Sequence, residues 1–492
     1  MTGRNRIRFL RRGEVVELTV MAPMRTLLDY LRLEEASRGT KEGCGEGDCG
    51  ACTVSLGSLK DGRLVYEPVN ACILLLGQVD GKEVVTVDDL SQGGRLHPIQ
   101  QAMVDSHGSQ CGFCTPGFVM SLFALYQSGV AADRQVVVDQ LAGNLCRCTG
   151  YRPIVEAALA SCTGRPDDAW SKARGETEKT LAGLDDGSDL FIGDDNGFFA
   201  APASDEALAQ LTEKHPDAVL LSGATDVGLW ITKQLRDIGK IIHLGRMRSL
   251  CRVAETADAV TLGAAVTYAE AERALGSIDP DLAELLRRIG SKQVRASGTV
   301  GGNIANGSPI GDTPPALIAL GSELELRKGT VTRAVALEDF FIAYGKQDRA
   351  PGEIVASVRV PKLKRDEAFR CYKITKRFDQ DISSVLAAFK FTLDGRRIAS
   401  ARIAYGGMAA TPKRAAKTEA AVQNLSLDDA AGWNQAADCL SEDFQPIGDH
   451  RASADYRMQT ARALFIKALT EISGEATRNT RVTGVRELVD AG

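Results

Sequence analysis

The sequence has no long hydrophobic run, no large excess of charge of either sign, and only five histidines. Its longest apolar stretch, around Ile73 to Leu76, falls far short of the roughly 20 residues needed to cross a bilayer. Residues 1–30 begin MTGRNRIRFLRRG and then alternate polar with apolar. They lack the continuous apolar segment and small-residue cleavage site of a secretory signal, so a cytoplasmic location is expected. Lys and Arg number 59 against 64 Asp and Glu, a net charge of −5 with no dense basic run. Neither nucleic acid nor a membrane surface is an expected partner. The histidines, at 97, 107, 215, 243 and 450, form no i, i+4 pair, and structural or surface roles are expected for them. Twelve cysteines in 492 residues are too few for a disulfide scaffold. With 44% hydrophobic and 25% charged residues, the chain has ordinary globular composition and a length suited to about three domains or a few more.

Eight of the twelve cysteines fall between Cys44 and Cys148, and in a reducing compartment such spacing points to metal. Cys162, Cys251, Cys371 and Cys439 are scattered and read as small buried hydrophobes. Cys44, Cys49 and Cys52 in GCGEGDCGACTV, with Cys72 at a distance, have the C-x4-C-x2-C…C spacing of plant-type 2Fe-2S ferredoxins; structural zinc rarely uses it. Gly43, Gly45, Gly47 and Gly50 let the loop turn sharply and aim N–H groups at sulfur. Gly45, Gly47 and Gly50 also match G-x-G-x-x-G, but cysteines interleave with them and a strand-like segment follows, which excludes a dinucleotide fingerprint. Around this loop, Ile7, Phe9, Val16, Leu18 and Val20 alternate about a turn at Arg11 to Gly13. Thr26 to Arg32 reads as a capped helix, and Thr53 to Leu56 and Val84 to Val87 read as strands.

The second group is Cys111 and Cys114 in QCGFCTPG with Cys146 and Cys148 in NLCRCTGY. The intervening region is helical in pattern, with Thr115 as N-cap, Pro116 at the first helical position, and Phe118, Leu122, Leu125 and Tyr126 at helical spacing. His97-Pro98 and Pro153 would open neighbouring helices. C-x2-C with C-x-C is a standard signature of neither zinc nor iron-sulfur, and spacing alone does not choose between them.

GCGEGDCGACTV, QCGFCTPG and NLCRCTGYRPI together resemble the two iron-sulfur domains of the molybdenum hydroxylases, the family of xanthine dehydrogenases, aldehyde oxidases and carbon monoxide dehydrogenase. The resemblance implies one 2Fe-2S cluster on Cys44, Cys49, Cys52 and Cys72, in a ferredoxin-like β-grasp domain (residues 1–90). It implies a second on Cys111, Cys114, Cys146 and Cys148, in a four-helix domain (91–163). Residues 164–189 are polar without a sustained apolar period and read as a linker. Buried-strand candidates at Val219 to Leu221, Ile241 to Leu244 and Val260 to Leu262 alternate with helical stretches beyond it.

Two glycine-containing segments, LLSGATDVG at 220–228 and GTVGGNIANGSPIGD at 298–312, are neither Rossmann fingerprints nor P-loops and could by themselves be simple turns. Both resemble the FAD-binding loops of the family's flavoprotein domain, a vanillyl-alcohol oxidase-like α/β fold expected over 190–366. The resemblance implies that Leu220, Leu221, Ser222, Gly223, Ala224, Thr225, Asp226 and Val227 line the adenine-to-pyrophosphate part of FAD. Thr299, Val300, Gly301, Gly302 and Asn303 would hold pyrophosphate and ribityl oxygens. Asp312, Val355 and Lys373 would add further cofactor contacts. The chain departs from vertebrate xanthine dehydrogenases in having Ile289 where they place a Phe beside the flavin. Ser384 to Leu393 and Arg397 to Tyr405 form a hairpin pattern around Asp394-Gly395, and Tyr456 to Leu469 is amphipathic. This resembles the family's C-terminal α+β subdomain, expected over 367–475. The fold class is therefore a multidomain α+β protein.

No segment resembles the molybdopterin module, so the resemblance implies a large molybdopterin-binding partner subunit, in a heterotetramer of two small and two large chains. The domain order resembles the small subunit of bacterial xanthine dehydrogenases. The implied activity is electron transfer from hypoxanthine or xanthine, oxidised at molybdenum, through two 2Fe-2S clusters to FAD and on to NAD. An aldehyde or N-heterocycle hydroxylase subunit is the alternative. A scaffold with two zinc sites is the reading outside enzymology. Asp339 to Tyr344, DFFIAY, could face flavin or nicotinamide, but such aromatic runs are more often core, and no NAD site is assigned.

Overall fold

The computed structural model describes residues 3–474. They divide into two compact units: 1–249 with 290–298, and 250–289 with 299 onward. The stretch 190–366, expected to be one flavin-binding domain, is thus shared between both units.

The first unit opens with a five-stranded sheet in the order Glu14–Leu18, Ile7–Arg11, Glu83–Val85, Thr53–Lys60, Arg63–Asn70. The first hairpin turns through Arg12 and Gly13, both at positive φ. Val84 belongs to the predicted strand, but Val87 starts the short helix Val87–Leu90, because the Asp89 carboxylate reaches back to accept from the Thr86 N–H (2.7 Å) and hydroxyl (2.9 Å) while the Asp89 N–H donates to the Thr86 carbonyl (3.1 Å). Thr26 caps a helical segment as expected, its Oγ1 accepting from Asp29 N–H at 3.1 Å.

Four helices follow: Pro98–Asp105, Thr115–Gln127, Arg134–Leu141 and Arg152–Ser161. Cys114, not Thr115, is the N-cap residue of the second. Thr115 is its first helical residue and its hydroxyl pairs with Ser109 instead. Phe118, Leu122 and Phe123 of this helix are fully buried.

The expected linker contains a 16-residue helix, Ala169–Leu184. Its apolar face is sparse, with Thr177, Leu181 and Leu184 buried, and its N-terminus is fixed by a distant partner. The buried Asp168 carboxylate accepts from Ser171 N–H (2.7 Å) and Gln127 Nε2 (2.5 Å) and pairs with His97 Nε2 (2.7 Å). Burial pushes the Asp168 carboxyl up, but these bonds outweigh it and bring it down to about 2.

A four-stranded sheet, Leu190–Asp194, Gly197–Ala201, Lys240–His243 and Val219–Leu221, completes the first unit, its last three strands parallel. His243 is fully buried, with Nδ1 3.3 Å from the Leu221 carbonyl. Burial lowers its pKa to about 3, against 6.5 in an unfolded chain. Between those values only the unfolded state binds the proton. Stability from the neutral ring is therefore complete above about 6.5 and is lost as pH falls toward 3. At about 1.4 kcal/mol per pH unit below 6.5, acidification from pH 7 to pH 5 should cost about 2 kcal/mol. Thermal unfolding at the two pH values should show a steeper loss for the wild type than for His243→Gln; equal slopes would contradict this.

The second unit holds a five-stranded antiparallel sheet, Val253–Glu255, Ala259–Gly263, Ile354–Pro361, Glu323–Lys328 and Val331–Ala336. A four-stranded sheet is built on the expected hairpin, Val385–Asp394 with Arg397–Gly406, and the helix Ala454–Ile472 covers it. In DFFIAY, Phe340 and Phe341 are core, whereas Ile342 and Tyr344 are exposed. Cys162 and Cys371 are buried, but Cys251 and Cys439 are only half-buried, because each lies beside a surface turn or helix end. Residue 475, the expected end of the last subdomain, lies outside the described residues.

Candidate functional site

Both cysteine groups lie in the first unit, and each converges. Gly45, Gly47 and Gly50 have φ of +64°, +76° and +70°, conformations that a side chain would strain, and this lets the 43–50 loop fold around its own sulfurs. The N–H groups of Glu46 (3.4 Å), Asp48 (3.4 Å) and Cys49 (3.3 Å) all donate to Cys44 Sγ. Cys44 also contacts the Cys49 and Cys72 thiols, and Cys72 Sγ lies 3.2 Å from Cys52 Sγ. Hydrogen bonds from Cys49 and Cys72, then from the backbone, hold Cys44 well below the usual thiol range, while its thiolate pushes Cys49 and Cys72 up. A site that stabilises thiolate by several N–H groups suits a cationic iron centre.

In the second group, Cys114 pairs with Cys146, and Cys111 with Cys148. Burial of Cys146 opposes ionisation, but hydrogen bonds from Thr149 and from the Cys148 N–H (3.4 Å) outweigh it and bring the thiol down to about 7. Burial, then Cys146, pushes Cys114 up to about 12. Among the described residues no three or more His, Cys, Asp or Glu form a ready cage for one ion. In the first group Cys44 touches Cys49 and Cys72, which touches Cys52, and in the second the thiols touch two by two, so each group gathers four thiols, the number that two irons sharing bridging sulfides would need. Cys52, Cys72 and Cys146 are buried, whereas Cys111 and Cys148 are exposed, with Phe113, Leu145 and Tyr151 also exposed beside them in sequence.

The predicted flavin residues are divided. Leu220 to Val227 belong to the first unit, and Thr299 to Asn303, Asp312, Val355 and Lys373 to the second. In the first unit the chain leaves the strand Val219–Leu221 and turns through Ala224, a non-glycine at φ +61°. A Cβ on Gly223 would stand 1.9 Å from the Ser297 carbonyl oxygen, so only glycine permits this approach. The Ser222 carbonyl accepts from Gln78 Nε2 (2.9 Å). Burial raises the Asp226 pKa, opposed by a hydrogen bond from Trp230. The helix Val227–Thr232 packs Gly228 on Ile73, the neighbour of Cys72, and Lys233 Nζ donates to the Cys44 carbonyl.

In the second unit Thr299 Oγ1 accepts from Gly302 N–H (3.1 Å) and starts the helix Val300–Asn306. Gly301 lies against Ala264, where a Cβ would be 2.5 Å from its Cα, while Gly302 is exposed. Asp312 is brought to Lys373 as an ion pair and accepts from Ser383 Oγ (2.5 Å). Asn303 Oδ1 accepts from Thr313 Oγ1 (2.8 Å). Val355 is a core residue, and Ile289 is half-buried against the same core. An exposed, side-chain-free backbone at Gly302 beside polar Thr299 and Asn303 fits an anionic dinucleotide. Gln78, Asn144, Lys233, Gln293, Thr313 and Ser383, which hydrogen-bond to these loops and residues, were not singled out by sequence reading. Asn144, which opens the second cysteine motif, and Thr313, next to Asp312, carried a local signal.

Family comparison matches residues 10–76 to a 2Fe-2S iron-sulfur cluster binding domain and 86–159 to a [2Fe-2S] binding domain. It matches 195–363 to the FAD binding domain in molybdopterin dehydrogenase and 370–472 to the CO dehydrogenase flavoprotein C-terminal domain. Xanthine dehydrogenase from Emericella nidulans is 31% identical over 94% of this chain and 38% of its own length. Xanthine dehydrogenase 1 from Arabidopsis thaliana is 32% identical over 80% of this chain and 34% of its own. The chain thus spans well under half the length of these relatives. Among solved structures, a chain of carbon monoxide dehydrogenase from Hydrogenophaga pseudoflava is 26% identical with a TM-score of 0.52, covering 55% of this chain and 95% of its own. A chain of reconstituted CO dehydrogenase from Oligotropha carboxidovorans is 25% identical, TM-score 0.53, covering 58% and 100%.

Proposed function

Because the chain belongs to the molybdenum hydroxylase family, carrying two 2Fe-2S domains, an FAD-binding domain and a flavoprotein C-terminal domain, we propose that it is the electron-transfer subunit of a xanthine dehydrogenase. In this reading the eight cysteines hold two clusters, the loops 220–227 and 299–303 with Asp312, Val355 and Lys373 bind FAD, and NAD is the acceptor. The molybdopterin and the purine pocket belong to a large partner subunit in a heterotetramer, in the cytoplasm. When bound, each cluster carries one electron and the flavin two, which joins single-electron transfer from molybdenum to hydride transfer to NAD.

The chain's own residues position and insulate these groups. The N–H groups of Glu46, Asp48 and Cys49 hold negative charge on Cys44. Burial of Cys52 and Cys72 keeps water from that site, while exposed Cys111 and Cys148, with Phe113, Leu145 and Tyr151, offer an apolar face to a partner. Lys233 and Gly228 join the ferredoxin-like loop to the helix that follows residues 220–226. The observation that carries the xanthine reading is the colinear match of 94% of this chain to a xanthine dehydrogenase, across both iron-sulfur domains and the flavoprotein domains. No helix among the described residues is long and apolar enough to cross a membrane.

Isolation of the full chain with its native partner should yield a large molybdenum-containing polypeptide and xanthine-dependent reduction of NAD. A partner with aldehyde or N-heterocycle activity and none toward xanthine would replace the substrate while leaving the relay intact. The absence of flavin and iron would overturn the relay itself.

A further inference from the structure

We propose that Gln293 is a positioning residue that sets the spacing between the two cysteine loops and, with it, the electronic coupling of the clusters they hold. The inference rests on the assignment of those loops to two 2Fe-2S clusters. Gln293 lies on the short helix Lys292–Ser297, within the sequence matched to the FAD binding domain, yet it belongs to the same compact unit as both cysteine loops. It is 1% exposed, and Nε2 lies 3.2 Å from Thr53 Oγ1, 3.1 Å from Ser121 Oγ and 3.0 Å from Asn144 Oδ1.

The Gly50 carbonyl fixes the polarity of this network, because it can only accept. The Thr53 hydroxyl donates to it (2.7 Å), and Asn144 Nδ2 donates to it as well (3.1 Å). Asn144 must then present Oδ1 on its other side, where it accepts from the Ser121 hydroxyl (2.6 Å). Thr53, Ser121 and Asn144 are each left with a lone pair pointing at one position, and only a donor fits there. The amide nitrogen of Gln293 has two hydrogens for three acceptors, so at least one is shared. Its Oε1 is buried without a hydrogen-bond partner, over Gly143, where a Cβ would stand 2.1 Å away.

The three acceptors belong to the two cysteine loops and to the helix that follows Cys114. Gly50 and Thr53 flank Cys52, Asn144 precedes Cys146 by two residues, and Ser121 is on the helix capped by Cys114. The loops also meet directly. The Leu145 N–H donates to the Cys49 carbonyl (3.0 Å), and Gly117 approaches Gly50 so closely that a Cβ would stand 2.1 Å from its oxygen. A path from Cys49 to Cys146 therefore crosses a single hydrogen bond, whose length depends on three lone pairs being held together by one amide. Asn144 Nδ2 also bridges the seam, to the Gly50 carbonyl and to Thr53 Oγ1 (3.3 Å), but without the Gln293 donor the three lone pairs repel and the seam widens. Electron exchange falls steeply with such a gap.

The test compares the full chain, isolated with whatever partner accompanies it, with Gln293→Met, which keeps length but removes the donor, and Thr53→Val, which breaks the network at its ferredoxin-like end. Ser128→Ala, at the end of the helix that carries Ser121 and outside the network, with its hydroxyl bonded to the Leu125 carbonyl, is the control. After anaerobic reduction, low-temperature paramagnetic resonance reads the magnetic splitting between the clusters, and iron analysis reads their content. The wild type should hold about four irons and show splitting. Gln293→Met and Thr53→Val should hold as much iron with the splitting reduced at least twofold, and Ser128→Ala should keep both. Unchanged splitting in either variant that retains its iron would overturn the proposal. So would loss of iron from both while Ser128→Ala retains it, since that marks a folding role only. A wild type with fewer than two clusters would instead sink the cluster assignment, and this role with it.

Discussion

Cys146→Ser should leave the full chain with about two of its four irons, while Cys162→Ser, a few turns away on the same domain, should keep all four. Both thiols are buried, so exposure does not distinguish them. Their surroundings do. Cys146 is brought down to about 7 by Thr149 and the Cys148 N–H and touches Cys114, whereas burial pushes Cys162 up to about 11, leaving a neutral thiol near the Leu122 carbonyl. The thiolate is the metal ligand, and serine cannot supply one. The signal of the ferredoxin-like cluster, proposed on Cys44, Cys49, Cys52 and Cys72, should persist. Iron analysis with resonance spectra checks this; full iron in Cys146→Ser would contradict the assignment.

Gly302→Glu should reduce bound FAD at least tenfold, equivalent to about 1.4 kcal/mol or more of lost affinity, with little change in thermal stability. Gly302 is exposed, and an added Cβ would meet only the Thr299 hydroxyl, at 2.7 Å, whose displacement would give up the cap of a short helix at about 1 kcal/mol. The fold should therefore tolerate the substitution, as exposed sites usually do. A carboxylate beside the proposed pyrophosphate site would repel it and fill the space that glycine leaves open. Gly223→Ala makes the contrast. Its Cβ would strike the Ser297 carbonyl at 1.9 Å, so there flavin loss should come with loss of stability. Full flavin in Gly302→Glu would move the pyrophosphate elsewhere.

Both cysteine groups and the strands and helices around them were legible because their signals are local: glycine-punctuated spacing, proline at helix starts, and alternation at Ile7–Arg11 and Val385–Asp394. What escaped depends on partners far apart in the chain. The helix Ala169–Leu184 has few apolar residues, and Asp168 caps it while held by His97, 71 residues earlier. Gln293 looks in sequence like a surface helix residue, and its role exists only because Thr53 and Asn144 arrive beside it. The flavin loops are expected through resemblance alone, since turns of similar composition occur without any ligand. Asp312 and Lys373, both expected at the cofactor, form an ion pair with each other.

The most direct test of the relay is a reductive titration of the anaerobic full chain, counting the electrons it accepts. Two one-electron clusters and one two-electron flavin predict uptake of about four electrons per chain. Uptake of about two would mean that either the flavin or the cluster pair is missing, and no uptake would contradict the account altogether.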